Sequence, residues 1–346
     1  MKQTLQTAWL TRGWLACILW PLAQAYGLVV RLRRALYRHG FFRSERFKIP
    51  VVVVGNVIAG GAGKTPLVIS LVNHLQAQQL KVGVVSRGYG RSSQDCLEAG
   101  PRTPVEETGD EPALIKRATS APVFVANKRT EALRALLAAH PDTAVVICDD
   151  GLQHYALQRD IEIAAFDDRG TGNGWLLPAG PLREPWPERR RQGLDLVLHT
   201  GKQAAFEGYI SSRRLADEAC NSNGHRVALA SLQGRPLVAM AGIANPGAFF
   251  GMLRDRGLTL ETVLALPDHH DFSGRDLAGL QGRTVLCTEK DAVKLFALPE
   301  AALLELLAVP LVFSPEPAFF AAFDALLAPR LSAPSPLPSK HGHQIA

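Results

Sequence analysis

A glycine-rich stretch near the start of the chain carries residue types that bind phosphate. The letters GGAGKTP, residues 60–66, follow four valines and precede a helical pattern of leucines. A loop between a buried strand and a helix presents backbone N–H groups and a helix N-terminus to an anion. There Lys64 would reach the β- and γ-phosphates of a nucleotide, and the Thr65 hydroxyl would bind Mg²⁺. The predicted nucleotide-binding residues are Gly60, Gly61, Ala62, Gly63, Lys64 and Thr65.

The loop departs from the usual phosphate-loop pattern at one position. That pattern places a glycine where Ile58 stands, and Gly55 and Gly60 flank the position instead. Because the strand and helix context are both present, we favour a nucleotide-binding loop over a glycine turn with a chance Gly-Lys-Thr. Pro66 is tolerated since the first helical turn has no intrahelical N–H partner to lose.

Two acidic residues stand at the end of another apolar strand. Asp149 and Asp150 follow the letters TAVVIC, and the C-terminal ends of parallel strands meet at the ligand crevice of an α/β sheet. A carboxylate in this position commonly holds Mg²⁺ together with the threonine of the phosphate loop. Asp-Asp-Gly is also good turn chemistry, so a turn is the alternative. The phosphate loop favours the metal site.

Three further stretches carry candidate residues with weaker local signals. Asp110 precedes Pro112 at a predicted helix start, where capping is the simpler local interpretation. Residues 169–185 contain too much glycine and proline for a regular element, and long loops of this kind are usually functional or disordered. His269 and His270 lie between acidic residues, and such a pair is more often a surface feature than a site.

Length and charge limit the classes of protein to consider. A chain of 346 residues with 47% hydrophobic content supports two domains with full cores. The net charge of +6 is concentrated in residues 1–50, which hold nine basic side chains and one acidic side chain. The remainder is nearly neutral, so the charge does not indicate a nucleic-acid partner. Five cysteines without CxxC spacing fit a reducing compartment and neither a disulfide framework nor a zinc site.

The N-terminal arm combines an apolar stretch, residues 13–30, with a basic flank. Its sequence allows a secretory signal, a short transmembrane helix, an interfacial helix or a buried helix of a soluble domain. Trp14, Ile18, Leu22, Tyr26 and Val30 recur every four residues, which fits an interfacial helix. Because seven basic residues follow between 31 and 48, we predict membrane contact, either spanning or lying flat, with the next domain in the cytoplasm.

With these motifs in order, the chain resembles the tetraacyldisaccharide 4'-kinase family, the lipid A 4'-kinases of Gram-negative bacteria. The resemblance covers residues 5–325, about nine-tenths of the chain, and the departure from the strict phosphate-loop pattern is typical of that family. The motifs that carry it are GNVIAGGAGKTP, SRGYGR (86–91), GDEP (109–112), CDDGLQH (148–154), GNGWLLPAGPLREP (172–185), GIANPGAFF (242–250), LPDHHDF (266–272) and TEKDAVKL (288–295).

The resemblance implies a lipid kinase that uses ATP and Mg²⁺. The family transfers the γ-phosphate of ATP to the 4'-hydroxyl of a tetraacylated glucosamine disaccharide 1-phosphate, at the cytoplasmic face of the inner membrane. An acceptor with four acyl chains leaves a bilayer only at about 0.8 kcal/mol per buried CH₂ group, so such an enzyme must come to the membrane surface. The implied partners are the lipid acceptor and the membrane, with no nucleic acid.

The resemblance also implies residue roles. Asp110 corresponds to the catalytic base and His269 to its assistant, although His270 could take that place. Lys64 and Arg183 are the further catalytic residues. The implied metal-site residues are Thr65, Asp149, Asp150 and Glu184, the further ATP-site residue is Arg129, and the substrate-side residues are Tyr89, Gln153 and His154.

We predict an α/β fold with a phosphate-loop NTPase-like parallel sheet, a second, smaller α/β domain and an N-terminal membrane-associated helix. The expected ranges are 1–50 for the arm, 50–230 for the kinase domain, 235–328 for the smaller domain and 329–346 for a disordered tail. Asp110 and His269 would then meet only if the two domains close over the substrate.

A regulatory ATPase recruited to membranes is the alternative function. That class also combines a GGxGKT loop with a basic amphipathic helix, but it usually carries a lysine directly before the two glycines. Ala59 occupies that position here, so the kinase is favoured.

Overall fold

The computed structural model describes residues 7–61, 63–100, 103–186, 195–201 and 203–332. Its helices alternate with strands along most of this length, as the sequence pattern predicts. They are α1 (Trp14–Arg38), α2 (Lys64–Ala77), α3 (Val105–Thr108), α4 (Asp110–Thr119), α5 (Arg129–Ala139), α6 (Pro246–Asp255), α7 (Glu289–Leu295) and α8 (Pro317–Ser332).

The strands form one larger and one smaller sheet. They are β1 (Val51–Gly55), β2 (Val82–Ser86), β3 (Leu97–Glu98), β4 (Val123–Val125), β5 (Val145–Asp149), β6 (Ile161–Phe166), β7 (Leu196–His199), β8 (Tyr209–Leu215), β9 (Glu218–Cys220), β10 (Arg226–Ala228), β11 (Leu237–Ala241), β12 (Leu260–Ala265), β13 (Thr284–Thr288), β14 (Glu305–Val309) and β15 (Leu311–Pro315). The larger sheet has nine strands in the order β15-β8-β7-β6-β1-β5-β2-β4-β3. The smaller has six strands in the order β10-β9-β14-β13-β11-β12.

The strand directions bring the C-terminal ends of several strands to one edge of the larger sheet. Strands β8 to β4 in that order run parallel to their neighbours, and only the outer strands β15 and β3 are antiparallel. All five residues of β1 are buried, as expected for a parallel strand covered on both faces. The C-terminal ends of β1, β5 and β6 therefore open onto the same crevice.

Helices on both faces of the larger sheet supply its core. Leu67, Leu71 and Leu75 of α2 are fully buried, which matches the leucine pattern read from the sequence. Phe319 and Phe323 of α8 lie in the same cluster. The C-terminal helix therefore completes the core around α2.

The end of the chain returns to the larger sheet. Strand β15 pairs with β8, and β15 and most of α8 fall in the range 235–328 predicted for the smaller domain. Conversely, β9 and β10 join the smaller sheet although they precede residue 230. Helix α8 runs through Ser332, so residues 329–332 are helical rather than part of a tail, because they continue a helix that Phe319, Phe323 and Leu327 anchor in the core. The predicted tail at 333–346 lies outside the described residues.

Helix α1 lies mostly exposed on the surface. It is long and apolar enough to cross a membrane by length and composition, and most of its apolar part is exposed. Trp14, Ile18 and Leu22 are exposed, whereas Tyr26 is half-buried and turns toward the protein. The buried-helix alternative is therefore wrong. The helix meets the protein through small residues such as Gly27, where a Cβ would lie 2.7 Å from Leu176.

Candidate active site

The phosphate loop is shaped by glycines and held from outside by an arginine. Gly60 and Gly63 have φ angles of 97° and 72°, in the left-handed region that glycine adopts without strain. Arg169 donates to the carbonyl oxygens of Ala59 and Gly61, both at 3.2 Å, while Asp167 holds its guanidinium. Directing these carbonyls outward leaves loop N–H groups for an anion. Ala62, predicted to contact the nucleotide, lies outside the described residues.

Lys64 and Asp150 face each other at the mouth of the crevice. The Nζ of Lys64 lies 3.6 Å from Oδ1 of Asp150, and Arg183 donates to the same oxygen at 3.3 Å. Burial raises the pKa of Asp150, but the charges of Lys64, Arg183 and Arg129 outweigh it, so the pKa lies below its usual value. Asp150 is thus an ionised carboxylate with two cationic neighbours.

Asp149 has the opposite environment. Its side chain is fully buried, and Oδ2 accepts a hydrogen bond from the Ser86 hydroxyl at 3.1 Å. Oδ1 has no hydrogen-bond partner among the described residues. Burial, with repulsion from Glu111 and Asp150, raises the pKa of Asp149 to about 7. Among the described residues this buried oxygen has no partner, and it lies near Lys64, so it fits a cation site where a bound cation would balance the carboxylate charge.

Glu184 is buried in a different set of contacts. It accepts hydrogen bonds from Gln153 Nε2 at 2.8 Å and from the Tyr155 hydroxyl at 3.0 Å. In the described part of the chain, no three His, Cys, Asp or Glu side chains converge as a metal cluster. Mg²⁺ bound with nucleotide needs only one or two carboxylates, because phosphates and water complete its shell.

Asp110 and His269 meet across the two sheets. Nδ1 of His269 lies 3.0 Å from Oδ2 of Asp110, and Lys294 lies 3.0 Å from the other carboxylate oxygen. Burial raises the pKa of Asp110, but the hydrogen bonds from His269 and Lys294 outweigh it and hold the pKa below its usual value. His270 instead contacts Asp276 at 3.1 Å. Of the two histidines, the structure therefore brings only His269 to Asp110.

Helix α4 connects the Asp110 pair with the helix that follows the phosphate loop. Helix α4, which begins at Asp110, packs against both α2 and α7. Glu111, the next residue, lies near enough to Asp149 to raise its pKa. The segment 86–91 lies beside the Asp110 pair, since the ring of Tyr89 is 5.5 Å from the ring of His269. Tyr89 is 69% exposed. Residues 87–94 and Asn127 line a cavity of about 260 Å³ beside it.

The remaining predicted residues lie next to the end of β5, beside the crevice. Arg129 is buried and donates to the Asp150 carbonyl at 3.0 Å, and Gln153 donates to the carbonyl of Asn56 at 3.1 Å. Burial, with the charges of Arg129 and Arg159, lowers the pKa of His154 to about 4. His154 is therefore a neutral imidazole at physiological pH.

Sequence reasoning missed three residues that the structure places here. Lys294 contacts Asp110, Arg169 holds the phosphate loop and Tyr155 holds Glu184. Lys294 lies within the TEKDAVKL motif, which offered a signal. Arg169 and Tyr155 carry no local signal, because their partners are distant in sequence.

Comparison with known proteins decides the family. A family model described as LpxK, tetraacyldisaccharide-1-P 4'-kinase, matches residues 15–328. The chain belongs to this family. A tetraacyldisaccharide 4'-kinase of Polaromonas naphthalenivorans (strain CJ2) is 72% identical over 344 residues, which is 99% of each chain. One of Acidovorax ebreus (strain TPSY) is 54% identical over 331 residues, or 95% of each chain.

A solved structure agrees with the sequence relatives. The crystal structure of LpxK from Aquifex aeolicus in complex with ATP is 28% identical, with a TM-score of 0.77 over 92% of this chain and 99% of that chain. The family predicted from the sequence motifs is confirmed, and so is the α/β fold class. The regulatory ATPase alternative receives no support from these relatives.

Proposed function

We propose that the chain transfers the γ-phosphate of ATP to the 4'-hydroxyl of a tetraacylated glucosamine disaccharide 1-phosphate. The observation that carries this proposal is the Asp110–His269 contact beside the phosphate loop, since it sets a carboxylate base opposite a nucleotide site. Family membership supports ATP as donor and a lipid disaccharide as acceptor.

Each part of the crevice has a role in phosphoryl transfer. Lys64 and the loop amides stabilise negative charge on the β- and γ-phosphate oxygens, and Arg183 and Arg129 add positive charge at Asp150. Positioning and charge neutralisation supply most of the catalysis of this reaction. Tyr89, Gln153 and His154 border the acceptor side as binding residues rather than proton donors.

Asp110 receives the proton of the attacking hydroxyl. Its pKa lies below the usual value, so it is ionised and able to accept, although it is a weak base for an alcohol. A loose transition state needs the proton removed only late, so a weak base is adequate. His269 and Lys294 orient the carboxylate from the smaller sheet.

Thr65 and Asp149 would hold Mg²⁺, which would neutralise charge on the phosphates when bound. The free Oδ1 of Asp149 favours this residue as the direct ligand, whereas Asp150 is already engaged by Lys64 and Arg183. Glu184 accepts a hydrogen bond from Gln153 and so holds that side chain in place near the site. Chelation of divalent cations is expected to stop the transfer.

The enzyme works at the cytoplasmic face of the inner membrane. Helix α1 presents Trp14, Ile18 and Leu22 to the outside, and arginines follow near its end. An acceptor with four acyl chains stays in the bilayer, so an exposed apolar helix beside the crevice brings the enzyme to its substrate.

The test is transfer from γ-labelled ATP to the tetraacyl disaccharide 1-phosphate in detergent micelles. The wild type is expected to give labelled lipid, and Lys64→Ala none. Labelled inorganic phosphate without labelled lipid would instead support the regulatory ATPase and overturn the proposal.

A further inference from the structure

Arg213, on strand β8, reaches the phosphate loop from the side opposite Asp149. A Cβ placed on Gly63 would lie 2.0 Å from a terminal nitrogen of Arg213 and 3.0 Å from the Thr200 hydroxyl. The guanidinium therefore occupies the space that a side chain at Gly63 would need. Its carbon lies 5.7 Å from the centre of the Phe313 ring, on the neighbouring strand β15.

The Arg213 guanidinium carries a positive charge next to the phosphate loop. In the ranges that the structure describes, it makes neither a side-chain hydrogen bond nor an ion pair. Desolvation of the guanidinium lowers its pKa, and the negative charges of Asp167 and Asp168 oppose that shift. Asp167 is engaged by Arg169, so within the described ranges the donors of Arg213 are available to a ligand. A guanidinium of this kind binds phosphate oxygens well.

The strand order indicates which part of a nucleotide lies at Arg213. Strand β5, with Asp149 at its end, flanks β1 on one side, and β6, β7 and β8 follow on the other. Lys64, Asp150 and Arg183 gather on the β5 side, where the γ-phosphate is transferred. We therefore place the α-phosphate and ribose on the other side of the loop, where Thr200 and Arg213 lie next to Gly63.

We propose that Arg213 is an ATP-binding residue that contacts the α-phosphate end of the nucleotide and is held in place by Phe313. This assignment rests on the proposed function, since it takes ATP as the phosphate donor. Arg214 provides a matched control, because it is the next residue of β8, points to the opposite face and pairs with Asp217 at 3.6 Å.

The test is calorimetric binding of ATP and of ADP to the full chain and its variants. In Arg213→Ala we expect the Kd of both nucleotides to rise by a similar factor, about 10- to 100-fold. Arg213→Lys should recover part of the loss, since lysine keeps the charge without the planar fork. Arg214→Ala should bind both nucleotides like the wild type. In the lipid assay Arg213→Ala should raise the KM for ATP and leave kcat nearly unchanged.

Two results would overturn the assignment while leaving the kinase intact. One is an unchanged Kd for both nucleotides in Arg213→Ala and Arg213→Lys. The other is weaker ATP binding with normal ADP binding, which would place Arg213 at the γ-phosphate. If the wild type bound neither nucleotide, the proposed function itself would fail, and this assignment with it.

Discussion

Two adjacent aspartates at the end of β5 have opposite electrostatic environments. Asp149 is buried with an oxygen that lacks a partner, and its pKa is raised to about 7. Asp150 lies between Lys64 and Arg183, and its pKa is lowered. Its φ of 47° turns the chain so that the two side chains diverge. Asp149 is thus left with an oxygen that a cation could bind, whereas the charge of Asp150 is neutralised by Lys64 and Arg183.

Asp149→Asn should stabilise the chain in the absence of nucleotide and metal. Between about pH 4 and pH 7 the folded wild type keeps a proton on Asp149 that the unfolded chain has lost, so its stability falls as pH rises. Asparagine does not titrate. In calorimetry we expect the Tm advantage of the variant to grow from about pH 5 to pH 7 and then level off, reaching a few °C. A pH-independent difference would contradict the raised pKa.

Asp110→Asn should lower turnover by about 10²- to 10⁴-fold with little change in the KM for ATP. The amide cannot accept the proton, while Lys64 and the phosphate loop are unaffected. His269→Asn should lower kcat by a smaller factor, and His270→Asn should not, because His270 contacts Asp276 instead. Steady-state transfer to lipid in micelles measures all three. Full turnover in Asp110→Asn would show that Asp110 has only a structural role at the start of α4.

The long loop between β6 and β7 connects α1 to the phosphate loop. Trp9 donates to the Pro178 carbonyl, and Tyr26 of α1 donates to the Arg183 carbonyl at 2.9 Å. Between these two contacts, Ala59, next to the phosphate loop, donates to the Pro181 carbonyl at 2.7 Å. The backbone of Arg183 is therefore held from the helix while its side chain contacts Asp150.

Gly27→Leu should disturb the active site from α1. A side chain there would meet Leu176 and push the loop away, together with Arg183. We expect turnover to fall about 10-fold or more, because small displacements of positioning groups are costly in rate. Ala25→Leu, on the exposed side of the same helix, is the control and should keep normal turnover. Equal activity of the two variants in the micelle assay would show that the loop does not transmit the change.

The two sheets are joined by contacts around Asp110. Helix α7 of the smaller sheet packs on α4 of the larger one, and Lys294 and His269 reach Asp110 from the smaller sheet. Strand β15 and α8 then return the chain to the larger sheet. Because the chain passes between the sheets more than once, the Asp110–His269 contact between them is held at several points.

Replacing Trp14, Ile18 and Leu22 of α1 by glutamine should weaken membrane binding. These exposed side chains provide the apolar area that would enter a bilayer, and its loss removes stabilisation in proportion to that area. We expect co-sedimentation with anionic vesicles to fall at least about 10-fold, with ATP binding unchanged. Leu303→Gln, an exposed leucine of the smaller sheet region, is the control. Unchanged sedimentation of the triple variant would show that the exposed side chains of α1 do not bind the membrane.

Local patterns in the sequence determined the strand–loop–helix at residues 51–77, the acidic end of β5 and the family. Each of these is encoded within a few residues, by an apolar run, by glycines or by a motif, so no distant contact is needed to recognise it. The charge and apolar content of residues 13–48 predicted a membrane-associated N-terminal helix, which stays a prediction, although the helix is exposed.

Only the tertiary structure decided which distant residues meet. His269 reaches Asp110 across 159 positions, and Arg213 reaches Gly63 from a strand whose sequence carries no phosphate signal. The structure also showed that His269 contacts Asp110 whereas His270 contacts Asp276, and that β15 pairs with β8 of the larger sheet. Such contacts depend on how sheets and helices pack their buried faces, and hydrophobic periodicity specifies a face without specifying its partner.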